Sequence, residues 1–462
     1  MTEKRTWILF AIAAATFLPA LRLHFVGEEA ILPLTSLEMW DHGSWITHTI
    51  YGINAKHNPL FNWLLIPLAS AAGWEYGLAL SRLIMIVSVA LSGLVLARLA
   101  RVLFHDGEFA AFAALVYITL GDLFLQRGWL AYVDPLFGLF VFSSIAALWL
   151  GAERRSAGWL AVAVVAVTAA FMTKAITAYV FYGAAGFVLL FRSEYRGFLL
   201  SWRSLLIHLF MVIAPVLWFE GVLGGSGQGG RMLHEVLYKL APEGLVEYLG
   251  RLVTYPLETF LRLLPASGLA AYFLWRRRLS VSEPERSHFH TALAIAALNF
   301  LPYWLSPQGA VRYLIPIFPL FGLVLARVLW RAGPAGTRAM VRWVSALIAL
   351  KLVYLVVAYP YYQATYRGAN YLQAASDIHA RARGFTVYSD DGTAAGLSVV
   401  THLDIMRIPQ SLVTYPQDGW KDGFLLTELD PARKGKVVKS YKLGGDELFL
   451  VCRGAACDAA GR

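Results

Sequence analysis

Charge is scarce in this 462-residue chain: Asp, Glu, Lys and Arg make up 15% of it, where ordinary globular chains carry roughly 25%. Hydrophobic residues reach 58%, and the mean hydropathy is +0.56. So few charges cannot cover the surface of a soluble protein of this length, which excludes a string of soluble domains and intrinsic disorder alike. Cysteine is almost missing. Cys452 and Cys457 cannot build a thiolate metal cluster by themselves, and a disulfide scaffold is excluded. There is no Walker motif, which excludes an ABC-type ATPase. Paired histidines at zinc-protease spacing and a Gly-x-Ser-x-Gly nucleophile elbow are absent too. No period of 20–50 residues marks a repeat array.

What is present is a series of long apolar runs, the mark of a polytopic α-helical membrane protein. After Lys4-Arg5 the stretch 6–21 is apolar, and it reads as an uncleaved first helix with a cytoplasmic N-terminus. Ten further runs follow, at 80–97, 109–125, 135–150, 157–173, 175–191, 204–222, 258–275, 289–305, 313–330 and 341–359, giving about eleven transmembrane helices. The basic residues test this topology. Arg98 and Arg101, Arg154 and Arg155, the group from Arg192 to Arg203, the group from Arg276 to Arg286, and the group from Arg327 to Arg342 all fall in alternate loops with Lys4 and Arg5. That alternation explains the net charge of +10 as cytoplasmic loops rather than nucleic-acid binding. Leu60–Ala72 would invert every later loop if it crossed. It is short and holds Pro67, so it reads as an interfacial or re-entrant helix within one long external loop, 22–82.

Beyond Tyr359 no run is long enough to span, and charges, glycines and short β-like runs take over. The expected organisation is a transmembrane domain, 1–359, and a small α/β domain, 360–462, on the periplasmic side of the inner (plasma) membrane. Cys452 and Cys457 lie there, where a bridge is permitted and two free thiols are equally compatible.

Polarity suited to chemistry gathers at the outer ends of the spans. The first external loop opens with Glu28-Glu29 and continues through Glu38, Asp41, His42, His48, Lys56 and His57. Adjacent acids at a membrane surface repel one another and cost desolvation, so they call for a cation, a metal or a proton-transfer task; a solvated helix end is the plain alternative. Asp134-Pro135 opens a span, as a helix cap would. Thr173-Lys174 is the sole polar break between two apolar runs, where a lysine either snorkels to the interface or binds a phosphate. Arg312-Tyr313 opens another span. The Gly-rich segment from 223 carries Arg231 but no Gly-Lys-Ser/Thr, so it is not a P-loop.

Five of these stretches, in order, resemble a known family. Glu28-Glu29 followed by Glu38-Met39 and Gly43-Ser44-Trp45 is similar to the Asp-Glu-x-Arg-Tyr, Arg-Glu-Met and Gly-Asp-Trp elements of the bacterial GT-C glycosyltransferases, the lipid A aminoarabinose transferases and protein O-mannosyltransferase-like proteins. His57-Asn58-Pro59-Leu60 with Trp63-Leu64 resembles Lys-Pro-Pro-Leu-x-x-Trp-Leu, and Asp134-Pro135-Leu136 resembles Asp-x-Leu. Thr173-Lys174-Ala175 resembles Thr-Lys-Gly, and Arg312-Tyr313-Leu314-Ile315-Pro316 with Pro319 resembles Arg-Tyr-Leu-Leu-Pro-x-x-Pro. The chain departs from the pattern where Glu28 replaces Asp, where Ile31-Leu32 replaces Arg-Tyr, and where His57-Asn58 replaces Lys-Pro, which points to a distant branch.

The resemblance implies a GT-C fold and a polyprenyl-phosphate-linked sugar donor. The sugar would pass to an envelope glycan such as lipid A or the lipopolysaccharide core, to another lipid, or to a protein, within the lipid bilayer and with no nucleic-acid partner. That chemistry needs a carboxylate base and cations for the departing phosphate: Glu28 is the candidate base, with Glu29 and Asp134 as helpers, and Lys56, His57, Lys174, Arg231, Arg312 and Tyr313 are the candidates to meet the donor phosphate. No ligand spacing demands a divalent metal, although one is compatible with the chemistry. The competing classes are a non-catalytic sugar-lipid transporter and an inactive structural subunit. A transporter would want polar groups at both faces and along the spans, whereas here they collect at one face.

Overall fold

A computed structural model of the chain describes residues 2–54, 58–223, 244–277, 286–417 and 420–460. The chain divides into two compact units: Met1–Leu18, Ile84–Trp129 and Val133–Lys351 form the first, and Pro19–Leu83, Leu130–Tyr132 and Leu352–Arg462 form the second.

The first unit is helical. Most of each apolar run expected from the sequence lies in helix, and among the described residues six helices are long and apolar enough to cross a membrane. These are Glu3–Arg22, Trp74–Phe104, Asp134–Arg154, Trp202–Val222, Val311–Arg331 and Pro334–Thr365, while Gly107–Ile118, Ala157–Thr173 and Thr177–Leu190 are apolar but shorter. Asp134–Arg154 is packed on nearly all sides and shows no polar face. Trp202–Val222 instead leaves Leu205, Leu209, Phe210 and Val216 bare, the surface of a helix solvated by lipid. Close packing needs a glycine at Gly322, where an added Cβ would stand 3.0 Å from the Tyr117 Cβ and 3.2 Å from its Cα.

Two expected spans are broken: the helix in 109–125 ends at Ile118, with Thr119 and Leu120 outside it. The run 258–275 is split between Leu245–Arg262 and Ala266–Arg277, with Leu263–Pro265 between them. Pro265 has no N–H to continue a helix and sits where the next one begins. Leu245–Arg262 bares Leu245, Leu249, Val253 and Leu257 at four-residue spacing, so it is amphipathic and not a buried span.

The second unit joins the first external loop to the C-terminal residues in one hydrophobic core. Phe25, Leu34 and Tyr51 from the loop are buried with Ile378, Val400, Phe424 and Leu450. A hairpin of β1 (Thr49–Ile50) and β2 (Ile53–Asn54) turns through Tyr51 and Gly52, both at positive φ, 58° and 75°. Glu38, at the end of the helix Ile31–Asp41, holds this turn. Its carboxylate accepts hydrogen bonds from the Thr49 hydroxyl (2.5 Å), the Tyr51 N–H (2.7 Å) and the Gly52 N–H (3.1 Å). Burial raises its proton affinity, and these donors oppose the rise.

The C-terminal part is the expected α/β domain. Its sheet has the order β3 (Val387–Ser389), β4 (Gly423–Thr427), β6 (Asp446–Arg453), β5 (Lys436–Leu443), with β3 parallel to β4 and the other pairs antiparallel. The helices Tyr371–Arg381 and Ala394–Arg407 pack together, and Leu397, Val400 and Leu403 of the second enter the core. Of the two states the sequence left open for Cys452 and Cys457, the disulfide is the one present.

Candidate functional site

In the second unit, the acid pair sits on a single helical turn, Gly27–Ala30. Its two members have opposite environments. Glu29 is fully buried and Glu28 is exposed. The Glu29 carboxylate accepts the N–H groups of Val26 (2.9 Å) and Ala131 (2.6 Å) and is clamped by the guanidinium of Arg82, through Nε (2.9 Å) and through Nη2. Arg82 is fully buried as well. It donates to the carbonyls of Ala20 (2.7 Å), Leu23 (2.6 Å) and His24 (2.8 Å), so that all five of its N–H donors are used. With four hydrogen bonds arriving, Glu29 has no lone pair left for a reacting proton. It serves as a fixed anchor for its neighbour.

Glu28 is held by its backbone, whose N–H donates to the Tyr132 hydroxyl at 3.1 Å. Among the described residues no hydrogen bond or ion pair engages its carboxylate, which is therefore available as a base. Gly27 makes this turn feasible. Its φ is +59°, and a Cβ there would fall 2.5 Å from the Tyr132 hydroxyl.

In the first unit, four residues expected from the sequence are brought together. Asp134, nearly buried, opens the helix Asp134–Arg154 and is ion-paired with Lys174, which caps Ala157–Thr173. The Lys174 ammonium also lies 5.0 Å from the ring centre of Tyr313 and 5.8 Å from that of Phe137. On the same ring, the Arg312 guanidinium is 5.3 Å away. Two cations of different geometry thus share one aromatic ring at the ends of apolar helices. Chemically, such a pair can meet an anion, the ammonium as a point charge and the guanidinium as a fork.

Lys56, His57 and Arg231 fall outside the described residues. Sequence reasoning missed Arg82, Tyr132 and Gly27. Only Arg82 carried a signal: an arginine at the head of a long apolar run is expensive there and calls for a partner. Among the described residues no group of three His, Cys, Asp or Glu is arranged to hold a metal ion.

Residues 56–219 match the family model for dolichyl-phosphate-mannose-protein mannosyltransferase. The undecaprenyl phosphate-alpha-4-amino-4-deoxy-L-arabinose arabinosyl transferase of Pseudomonas aeruginosa (strain UCBPP-PA14) is 31% identical over 189 residues, 39% of this chain and 34% of that protein. A relative of similar name from Pseudomonas fluorescens is 29% identical over 162 residues, 34% of this chain and 27% of that protein. The matched stretch therefore spans about a third of the length of these curated relatives. The crystal structure of ArnT from Cupriavidus metallidurans bound to undecaprenyl phosphate superposes with a TM-score of 0.71 at 16% identity, covering 98% of this chain and 99% of that one. The apo oligosaccharyltransferase of Archaeoglobus fulgidus gives 0.50 at 13% identity, over 92% and 69%. The chain is thus a multi-pass membrane protein with the GT-C fold. Within that fold it resembles the bacterial aminoarabinose transferases.

Proposed function

We propose that the chain is a membrane glycosyltransferase that moves a sugar from a polyprenyl-phosphate donor to a hydroxyl of an envelope acceptor, such as lipid A, the lipopolysaccharide core, another glycan or a protein. The observation that carries this reading is the convergence of Asp134, Lys174, Arg312 and Tyr313 in the membrane unit. In the reaction the resemblance implies, the acceptor hydroxyl loses its proton to a carboxylate, the role the resemblance gives to Glu28, and its oxygen attacks the anomeric carbon. The bond from that carbon to the phosphate oxygen breaks, and polyprenyl phosphate leaves with the electron pair. Lys174 and Arg312 meet the charge growing on the phosphate, and Asp134 orients Lys174. His57, by resemblance, and Lys56 and Arg231, as basic or neighbouring groups of the external segments, are further candidates for the same phosphate. The reading is tested by incubating purified chain with a polyprenyl-phosphate-linked sugar and an envelope lipid extract. Release of free polyprenyl phosphate supports transfer. Movement of intact donor between leaflets without release identifies a transporter.

Two predictions belong to this reading. Lys174→Met keeps the apolar stem and removes the charge, so affinity for polyprenyl phosphate in detergent at fixed salt is expected to fall by roughly 1.5–3 kcal/mol, the worth of a hydrogen bond to a charged group. Arg312→Lys is expected to be milder than Arg312→Met, because a lysine keeps the charge and loses the fork. Unchanged affinity in Lys174→Met removes Lys174 from the site. The second prediction is sidedness. Reporter fusions at Arg277 and Gly392 are expected on opposite sides of the membrane, cytoplasmic and periplasmic respectively, and a common side would overturn the eleven-span topology.

A further inference from the structure

The second unit contains a cavity of about 340 Å³ that the reading above does not use, near the lower end of the ~300–1,000 Å³ typical of small-molecule sites. Its wall is polar: Arg367, Asn370, Gln373 and Lys442 line it, together with Tyr366 and Gly444. Two of these groups are fixed in place. Arg367 is ion-paired with Asp446 at 3.2 Å, and the Asn370 amide donates to the Lys442 carbonyl at 2.5 Å, which leaves the amide oxygen of Asn370 as an acceptor. Gly444 keeps the wall thin. Its φ is +75°, and a Cβ there would lie 2.8 Å from Cγ of Arg367. Lys442 stands across β5 and β6 from Glu447, yet among the described residues its ammonium forms no ion pair.

A ladder of aromatic rings leads to this cavity. Tyr354, Tyr359, Tyr362 and Tyr366 follow one another with ring centres 5.2, 5.9 and 5.8 Å apart, and Tyr366 is 62% exposed. An interfacial tyrosine belt accounts for the first rings, which continue a membrane-length helix. It does not account for an exposed ring beside two cations and two amides. Amide side chains recognise paired hydroxyls, an exposed aromatic face packs the C–H face of a sugar ring, and Lys and Arg meet a phosphate.

We propose that this cavity binds a phosphorylated saccharide, with Lys442 and Arg367 on the phosphate, Asn370 and Gln373 on the hydroxyls, and Tyr366 under the ring. The assignment rests on the glycosyltransferase reading only for the origin of the ligand, which is the head of either a phosphorylated glycolipid acceptor or the sugar-phosphate donor.

The experiment uses the full chain in detergent, with glucosamine 1-phosphate as the probe and glucosamine and inorganic phosphate as comparisons. Saturable binding is expected, tighter for the phosphorylated sugar than for either comparison. Lys442→Gln and Tyr366→Ala, both at exposed positions, are each expected to weaken it about tenfold or more. Binding that is absent, or unaffected by both substitutions, overturns the proposal whether or not the chain transfers sugar. Where transfer is measured, the source of the ligand is read from KM. A rise for the acceptor alone assigns the cavity to the acceptor head, and a rise for the donor alone assigns it to the donor. KM values unmoved for both overturn its part in transfer, with the glycosyltransferase reading itself left standing.

Discussion

Glu28→Gln is expected to lower sugar transfer by about 10²–10⁴, the range lost with a general base. The substitution keeps the size of the side chain and its capacity to hydrogen-bond while removing its basicity. It is a clean test because of where the side chain lies. Glu28 is exposed, and its backbone, not its carboxylate, makes the bond to Tyr132. The buried clamp of Glu29 and Arg82 next door is untouched. Thermal stability and affinity for polyprenyl phosphate should therefore stay near those of the unaltered protein. Glu28→Asp should retain part of the activity, since the resembled family usually places Asp at this position, although the carboxylate is drawn back by one methylene. Rates are measured by release of polyprenyl phosphate at saturating donor. Near-normal turnover in Glu28→Gln would remove Glu28 as base and pass the role to a group other than Glu29, whose lone pairs are all engaged.

How much of this was legible in the sequence varied with the kind of signal. Apolar runs report burial in lipid or protein, so the helices were readable, and the short apolar segment before the second long helix has the bounds Leu60–Ala72 in the structure too. Leu245–Arg262 was not readable as a separate element. Its charged stripe of Glu247, Arg251, Glu258 and Arg262 lowers the average hydropathy, and the signal lay in its four-residue period instead. Asp134, Lys174, Arg312 and Tyr313 could be picked out singly because each is a polar group at the end of an apolar run. Their convergence depends on how helices distant in sequence pack, which no local pattern encodes. The joining of Phe25, Leu34 and Tyr51 to the core of the C-terminal sheet was hidden for the same reason, since more than 300 residues separate them from that sheet in the chain.

Arg82 was overlooked because a lone charge at the head of an apolar run reads as a boundary, and its substitution is expected to have the largest effect on stability. Arg82→Met removes all five donors. The carbonyls of Ala20, Leu23 and His24 lose a partner, and Glu29 is left as a buried carboxylate with only the N–H groups of Val26 and Ala131. Removing one member of a buried pair typically costs about 3–5 kcal/mol, since the other charge stays behind unpaired. Arg82→Lys should fall between the two, because it keeps the charge but brings three donors to a site built for a planar fork. The decisive variant is Arg82→Met combined with Glu29→Met. If the cost of the single substitution is the stranded carboxylate, removing that carboxylate restores part of the stability, and the two effects combine to less than their sum. Thermal unfolding of the full chain in detergent, at one scan rate for all variants, reads the order directly. An unshifted midpoint in Arg82→Met, or a double variant less stable than the two single losses added together, would show that the pair does not hold this turn. Sugar transfer should fall along with stability in Arg82→Met and recover only partly in the double variant, because Glu28 regains a folded neighbour but not its fixed anchor.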